Sequence, residues 1–494
     1  MLNTNQRRGR CKPCRELHLQ CDEKTPRCGA CISSNKICSG YDFGTIFINM
    51  NSAAPPPMWT RSSNASKNLV IDLASQPSSS KASKVPPRPE SVPFMVQDPG
   101  QIQQLTALFV DLYYRQFDAK KASPEPMRPG AECAGWRRRV STWTGKYTVL
   151  DTAIRALCAS FTGAQYQDVG VIDQARSLYS QALQLLHFHL SQPGSSKCKD
   201  LLRTSLILGS VELFLSSGGG PNQLIHVQGA TRMLHCMIED TAVQTFEEVH
   251  VSVYNQTLRY CLCLRQDFSL SAGSFASRVQ QLYASYTGFR KSMYFQWCLI
   301  VSPLSTMLHW IDSTAAAAPR TPPNPSHVQS TLDNLRCLEQ ALAPWVSTLK
   351  ATVTGPWAKE KASSNVYAIP FPLKFASYEA CMLYCLYWTS QLLIVDAQLT
   401  LLSLLPAGHT HFSREQYQLS ASGYADLICR SVPFCTKETS YAITENIFVP
   451  LTVVARYYER QRDVDRTRWC LAAFARITEE QRIGFAPDFL QYQV

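Results

Sequence analysis

Six cysteines near the N-terminus fall into two copies of one spacing, Cys11-x2-Cys14-x6-Cys21 and Cys28-x2-Cys31-x6-Cys38. Thiolate sulfur suits zinc, which takes four tetrahedral ligands. A single ion would leave two cysteines idle, whereas the repeat argues that all six serve alike. Two ions need eight ligand positions, and six cysteines fill them when two thiolates bridge both metals. The competing chemistry is three disulfides, as in a small secreted domain. Met1 to Arg10 speaks against it, being polar and basic without the apolar run of a signal peptide. The expected cofactor is therefore zinc, two ions held by Cys11, Cys14, Cys21, Cys28, Cys31 and Cys38. Six sulfurs closing two sites leave no open position for substrate or water, which argues against a zinc enzyme.

The charge around these cysteines indicates what they position. Residues 1–40 carry eight Lys or Arg against three Asp or Glu, a net +5 of the +11 on all 494 residues. Two Zn2+ add four charges and six thiolates remove six, so the loaded module stays basic at about +3. A small basic module beside a weakly charged body points to a polyanion, and nucleic acid is the obvious one. The arm over residues 1–10 ends in Arg7-Arg8-Gly9-Arg10 and runs straight into the first cysteine, which favours phosphate contact over a merely solvated tail.

The segment resembles the fungal binuclear zinc cluster, the DNA-binding module of the two-zinc, six-cysteine transcription factors. All six ligand positions match, together with Arg15, Asp22, Pro26 and Gly40-Tyr41. The resemblance implies that Cys11 and Cys28 are the bridging ligands, that residues 11–40 form the DNA-binding domain, and that a short helix in its first half reads a CGG-like triplet in double-stranded DNA. The contacts would come from between Cys14 and Cys21, where the family usually has Arg-x-Arg-Lys-x-Lys. Here the stretch reads Arg15-Glu16-Leu17-His18-Leu19-Gln20. His18 stands where a lysine usually reaches guanine; an imidazole N–H can donate to N7 or O6 but gives up a full charge at neutral pH. Leu17 and Gln20 remove two further cations. The candidate DNA contacts are thus Arg7, Arg8, Arg10, Lys12, Arg15 and His18, with affinity below that of the family's fully basic members unless the arm compensates.

Behind the module, residues 41–99 are rich in Pro and Ser, with Pro55-Pro56-Pro57 and Ser78-Ser79-Ser80, and read as a disordered linker. No sustained heptad follows the cluster, so no coiled coil is expected; the chain binds as a monomer or pairs through its C-terminal body. Residues 100–494 show helical periodicity throughout. Stripes such as Leu105, Leu108, Leu112 and Tyr113, or Val171, Ala175, Leu178, Ala182, Leu185 and Leu190, predict an all-α domain of antiparallel helix pairs, the whole chain being mainly α. Breaks fall at Ser123–Pro129, Gln192–Ser195, Pro319–Pro325 and Gly355–Pro372, with a mobile insertion expected near 313–327. The most apolar run, Ala380 to Leu405, is interrupted by Thr389, Ser390, Gln391, Asp396 and Gln398, so it reads as a buried helix and no membrane partner is expected. The body is also similar to the family's helical regulatory region at Leu178–Leu183, at Glu212–Gly220 leading to His226–Ala230, and at Ile428–Phe434.

The remaining chemistry-bearing residues have plain readings. Gly218-Gly219-Gly220-Pro221 lacks the lysine of a phosphate loop and reads as a helix-to-helix turn. His187 with His189, and His409 with His411, sit on different helix faces. Cys381 and Cys385 share a face as buried apolar thiols, and Arg137-Arg138-Arg139 reads as a solvated helix face. With no nucleophile–base motif or dinucleotide fingerprint, the chain reads as a non-enzymatic, nuclear, sequence-specific regulator of RNA polymerase II transcription. Its helical body would meet a small-molecule effector or the transcription machinery, and the resemblance makes a specialised metabolic pathway the expected target. The rival is a protein-interaction subunit whose cluster is only a folding element.

Overall fold

The computed structural model describes residues 14, 21–22, 29–34, 99–114, 135–145, 147–215, 220–240, 243–271, 273–286, 292–358, 372–405, 414–436 and 441–482. The chain divides into two compact units, Met1–Lys81 and Ala82–Val494. The first unit contributes a five-residue helix, α1 (Gly29–Ser33). The expected linker lies almost wholly outside the described residues.

The second unit is mainly α. Its helices are α2 (Pro99–Tyr114), α3 (Thr148–Tyr166), α4 (Val169–Leu190), α5 (Lys199–Leu215), α6 (Gly220–Glu239), α7 (Glu248–Leu264), α8 (Gly273–Ser285), α9 (Met293–Ala317), α10 (Pro325–Thr352), α11 (Tyr378–Leu404), α12 (Arg414–Thr436), α13 (Tyr441–Arg460) and α14 (Val464–Gln481). Consecutive helices pack on one another from α3 to α7 and from α9 to α14, and α13 crosses back onto α2 and α7. A 3-10 helix, Gly135–Trp143, packs between α2 and α3. The one ladder among the described residues is a two-residue antiparallel pair, β1 (Trp357–Ala358) with β2 (Leu373–Lys374), in the stretch expected only to break helices.

Local chemistry sets the helix ends. Asp168 accepts from Val171 N at 3.1 Å, Ser377 from Ala380 N at 3.1 Å and Asp463 from Arg466 N at 3.1 Å, each capping the helix that begins directly after it. Glu247 and His250 form a reciprocal capping box at the start of α7. Asn324 caps α10, with Pro325 in its first turn and its side chain accepting from Ser326 N at 2.9 Å. Residues 313–327, expected to hold a mobile insertion, are therefore the end of α9, a hydrogen-bonded turn and a capped helix start. The reason is local: Ala318 and Thr321 N–H groups bond back to Thr314 and Ala317 carbonyls.

Two glycines let helices approach closely. A Cβ on Gly163 would lie 2.8 Å from Ile172 Cγ1, and one on Gly209 would lie 3.2 Å from the Cβ of His226, so α3–α4 and α5–α6 pack backbone to side chain at those points.

α11 is apolar on every side and buried along most of its length. Asp396, the acid that interrupts its run, is 3 % exposed and accepts from Arg265 at 3.2 Å and Arg460 at 2.5 Å. Arg265 is held in turn by both oxygens of Asp312 at 2.7 Å. Burial disfavours charge, so an acid at the middle of α11 persists because guanidinium groups from α13 and from the residue closing α7 converge on it. The interruptions thus mark a helix buried in protein, as expected.

Candidate zinc and DNA-binding site

Three of the six predicted ligands lie among the described residues: Cys14, Cys21 and Cys31. Cys31 is the middle residue of α1, where a single helical turn fixes the direction of its side chain. Cys14 and Cys31, from the two copies of the repeat, are 0 % and 2 % exposed, and their sulfurs are 3.9 Å apart. A disulfide would bring them to about 2.05 Å. Two thiolates at about 2.3 Å from one tetrahedral zinc stand roughly 3.8 Å apart, so the pair has the spacing of clustered metal ligands. An all-sulfur donor set, converging from both halves of the repeat and shielded from water, fits zinc.

A polar contact ties the halves together. Asp22, directly after Cys21, accepts from the backbone N–H of Gly29 at 2.8 Å. That N–H belongs to the first turn of α1, which has no carbonyl partner within the helix. A Cβ at position 29 would lie 2.8 Å from Asp22 Oδ2, so a larger residue there would require the carboxylate to shift. Asp22 was legible as a recurrent feature of the resemblance; its partner was not, because nothing in a lone Gly after a cysteine marks a carboxylate seven residues upstream.

The other predicted residues of this site, Arg7, Arg8, Arg10, Cys11, Lys12, Arg15, His18, Cys28 and Cys38, lie outside the described residues. So do His409 and His411.

In the helical unit the structure changes one reading. Arg137, taken as part of a solvated basic face, is 2 % exposed: its Nη1 donates to Glu445 at 2.6 Å and to the Tyr113 hydroxyl at 3.1 Å, and its Nη2 donates to Ser210 at 3.0 Å. Arg138 instead lies over the Tyr114 ring at 3.6 Å, and Arg139 pairs with Glu248 at 2.9 Å. Burial drives the change, since a buried guanidinium needs a counter-charge and the carboxylate of α13 supplies it. His189 holds Tyr147 at 2.6 Å, on a different face from His187. Cys381 and Cys385 are buried on one face of α11 as expected, with Cys435 of α12 bringing its sulfur to 3.3 Å from that of Cys381. Among the described residues no group of three or more His, Cys, Asp or Glu is arranged to hold a metal ion.

Two of the stretches that resemble the family's regulatory region meet in space. The Tyr179 hydroxyl of α4 bonds to the Glu212 carboxylate of α5 and to His226 Nε2 of α6 at 2.8 Å. The hydroxyl donates its proton to Glu212, so His226 serves the hydroxyl oxygen as an Nε2–H donor.

Residues 10–43 match the family model described as the fungal Zn(2)-Cys(6) binuclear cluster domain. No curated protein and no solved structure matches the chain significantly. A domain of this family binds two zinc ions, which is what the cysteine count requires and the buried Cys14–Cys31 contact fits. The N-terminal segment of this chain is a fungal Zn(2)-Cys(6) binuclear cluster domain, the two-zinc module of the fungal zinc-cluster transcription regulators.

Proposed function

We propose that the chain is a nuclear, sequence-specific regulator of RNA polymerase II transcription, acting on a CGG-like site through its zinc cluster and belonging to a specialised metabolic pathway. The observation that carries the reading is the match of residues 10–43 to the binuclear cluster. It is supported by Cys14 and Cys31 sharing a buried thiol cluster across the two halves of the repeat. In this reading Cys11, Cys14, Cys21, Cys28, Cys31 and Cys38 hold two zinc ions, with Cys11 and Cys28 bridging. The ions supply the cross-links that fold the module, because binding free energy here is folding free energy. Arg7, Arg8, Arg10, Lys12 and Arg15 meet phosphates and set orientation, while His18 donates to a base edge. The Asp22–Gly29 bond ties α1 to the residue that directly follows Cys21.

Selection of the zinc-loaded chain on randomised duplex DNA tests this reading. A recurring CGG-like motif is the expected result, with His18→Ala relaxing base preference and Arg10→Ala weakening all duplexes alike. Enrichment of no motif by the loaded chain would instead favour a second reading. That reading rests on Leu17, His18 and Gln20 standing where the family keeps cations, and makes the module a folded interaction element that does not read DNA by itself.

A further inference from the structure

Three cysteines of the helical unit meet across two helices. Cys381 and Cys385 lie one turn apart on α11, Cys435 lies in the last turn of α12, and they are 1 %, 2 % and 3 % exposed. The sulfurs of Cys381 and Cys435 are 3.3 Å apart, and Cys385 is hydrogen-bonded to both. No group among the described residues is arranged to hold a metal ion, so coordination does not explain the cluster. Apolar filling asks only for volume and does not require sulfur to face sulfur. Thiols in contact across two helices are, by contrast, placed to bond with each other.

The cluster also contains its own nucleophile. An oxidant is attacked by a thiolate rather than a thiol. The S–H groups of Cys381 and Cys435 donate to Cys385 and hold its thiol well below the ordinary range, although burial opposes them. Burial pushes the Cys381 thiol well above that range. The charge of the cluster therefore settles on Cys385, with two S–H donors around it. Access comes from the end of α12. Pro433 has no N–H to give the Cys429 carbonyl, so the turn that carries Cys435 lacks one bond of the helical ladder and opens at lower cost than the middle of the helix.

We infer that Cys385 and Cys435 form a redox centre that a hydroperoxide converts into a disulfide, cross-linking α11 to the end of α12. The Cys385 thiolate attacks one peroxide oxygen, the O–O bond breaks, and the other oxygen leaves as hydroxide or alkoxide and takes up the proton that Cys385 gave up. The sulfenic acid left on Cys385 is attacked by the Cys435 sulfur; the S–O bond breaks, the S–S bond forms, and the oxygen leaves as water with the Cys435 proton. Two thiols have then lost two electrons and two protons to the peroxide. The cross-link lands on a junction, because Thr444 of α13 donates to the Cys435 carbonyl at 3.0 Å and Gln481 of α14 donates to the Thr436 carbonyl at 3.1 Å. Oxidation would thus fix the point where four helices meet. The inference goes beyond DNA binding and does not depend on it.

The test treats the zinc-loaded full chain with hydrogen peroxide, alkylates the remaining thiols under denaturing conditions and maps the peptides by mass spectrometry, which keeps these cysteines apart from those of the zinc cluster. Joined peptides carrying Cys385 and Cys435 are expected, separated again by dithiothreitol, together with a raised urea midpoint of the helical unit in the oxidised chain. Cys435→Ala should abolish the cross-link and leave a sulfenic acid on Cys385 that dimedone traps, and Cys381→Ala should keep the cross-link but slow its formation several-fold, because one donor to the thiolate is gone. Where a variant does not fold, the peptide map of the unaltered chain decides by itself. The inference is overturned if Cys385 and Cys435 both carry the alkyl label after peroxide, if either is joined to another cysteine instead, or if the oxidised chain unfolds at the same or a lower urea concentration.

Discussion

Arg137 shows how far a single residue type can be read from its neighbours. It stands in a run of three arginines whose mean character is that of a solvated face, and Arg139 behaves so, with 61 % of its side chain exposed in its pair with Glu248. Arg137 does not, because its counter-charge lies 308 residues along the chain on α13. No local pattern records such a partner. The cysteines are the opposite case, since every expected ligand position follows from spacing within one short segment. The buried ion pair makes a sharp prediction. Glu445→Gln leaves a guanidinium almost wholly buried without its anion and should cost about 3–5 kcal/mol of stability in urea denaturation. Replacing both partners, in Arg137→Met with Glu445→Gln, should recover much of that loss, because two neutral side chains carry no desolvated charge. A loss from Glu445→Gln no larger than that of a surface substitution would show that the pair does not hold α13 to the Gly135–Trp143 turn.

Among elements, the helices with one apolar stripe were legible. α4 buries Val171, Ala175, Leu178 and Ala182 of the stripe read from its sequence, and α11 runs over Tyr378–Leu404 as its apolar content requires. Pro303, Pro344, Pro433 and Pro450 lie inside α9, α10, α12 and α13, where surrounding packing overrides a residue that ordinarily interrupts a helix. The joint made by Tyr179, Glu212 and His226 could not be read as a contact, although two resembling stretches supplied its members. It has a measurable consequence. Burial pushes the His226 imidazole down to about 4, and His250 in the capping box of α7 is pushed down to about 4 mainly by burial, with Glu247 opposing and Lys199 and Arg203 adding to the effect. An unfolded histidine titrates near 6.5. Between those values the unfolded chain takes up protons that the folded chain refuses, so the contribution is complete above about pH 6.5 and is lost as pH falls toward 4. The urea midpoint should therefore drop between pH 7 and pH 5. His226→Gln, which keeps an N–H for the Tyr179 hydroxyl, should make the drop shallower, and an unchanged slope in that variant would remove His226 from the linkage.

At the scale of the whole molecule, the two units owe their stability to different physics. The helical unit has a continuous apolar core running from Ile102 to Ile477, with its ends tied where Gln165 of α3 donates to the Gln481 carbonyl at 3.1 Å and Gln481 donates to Thr436 at 3.1 Å. A chain of that size buries enough surface to fold without metal. The zinc-cluster segment is far too short to do so, and small modules of this kind depend on metal. Chelation should then act on one unit alone. Removing zinc from the intact chain should abolish selective DNA retention while leaving the far-ultraviolet helical signal and the cooperative thermal transition of the helical unit nearly unchanged, and restoring zinc should restore DNA retention. Loss of the helical transition on chelation would show that the large unit also depends on metal. Persistence of motif-selective binding without zinc would break the link between the repeated cysteines and recognition. The response to salt separates the arm from the reading stretch within the same experiment. If Arg7, Arg8, Arg10, Lys12 and Arg15 each neutralise a phosphate, the logarithm of affinity should fall against the logarithm of salt with a slope of about −4.5, whereas His18→Ala should change base preference and leave that slope in place.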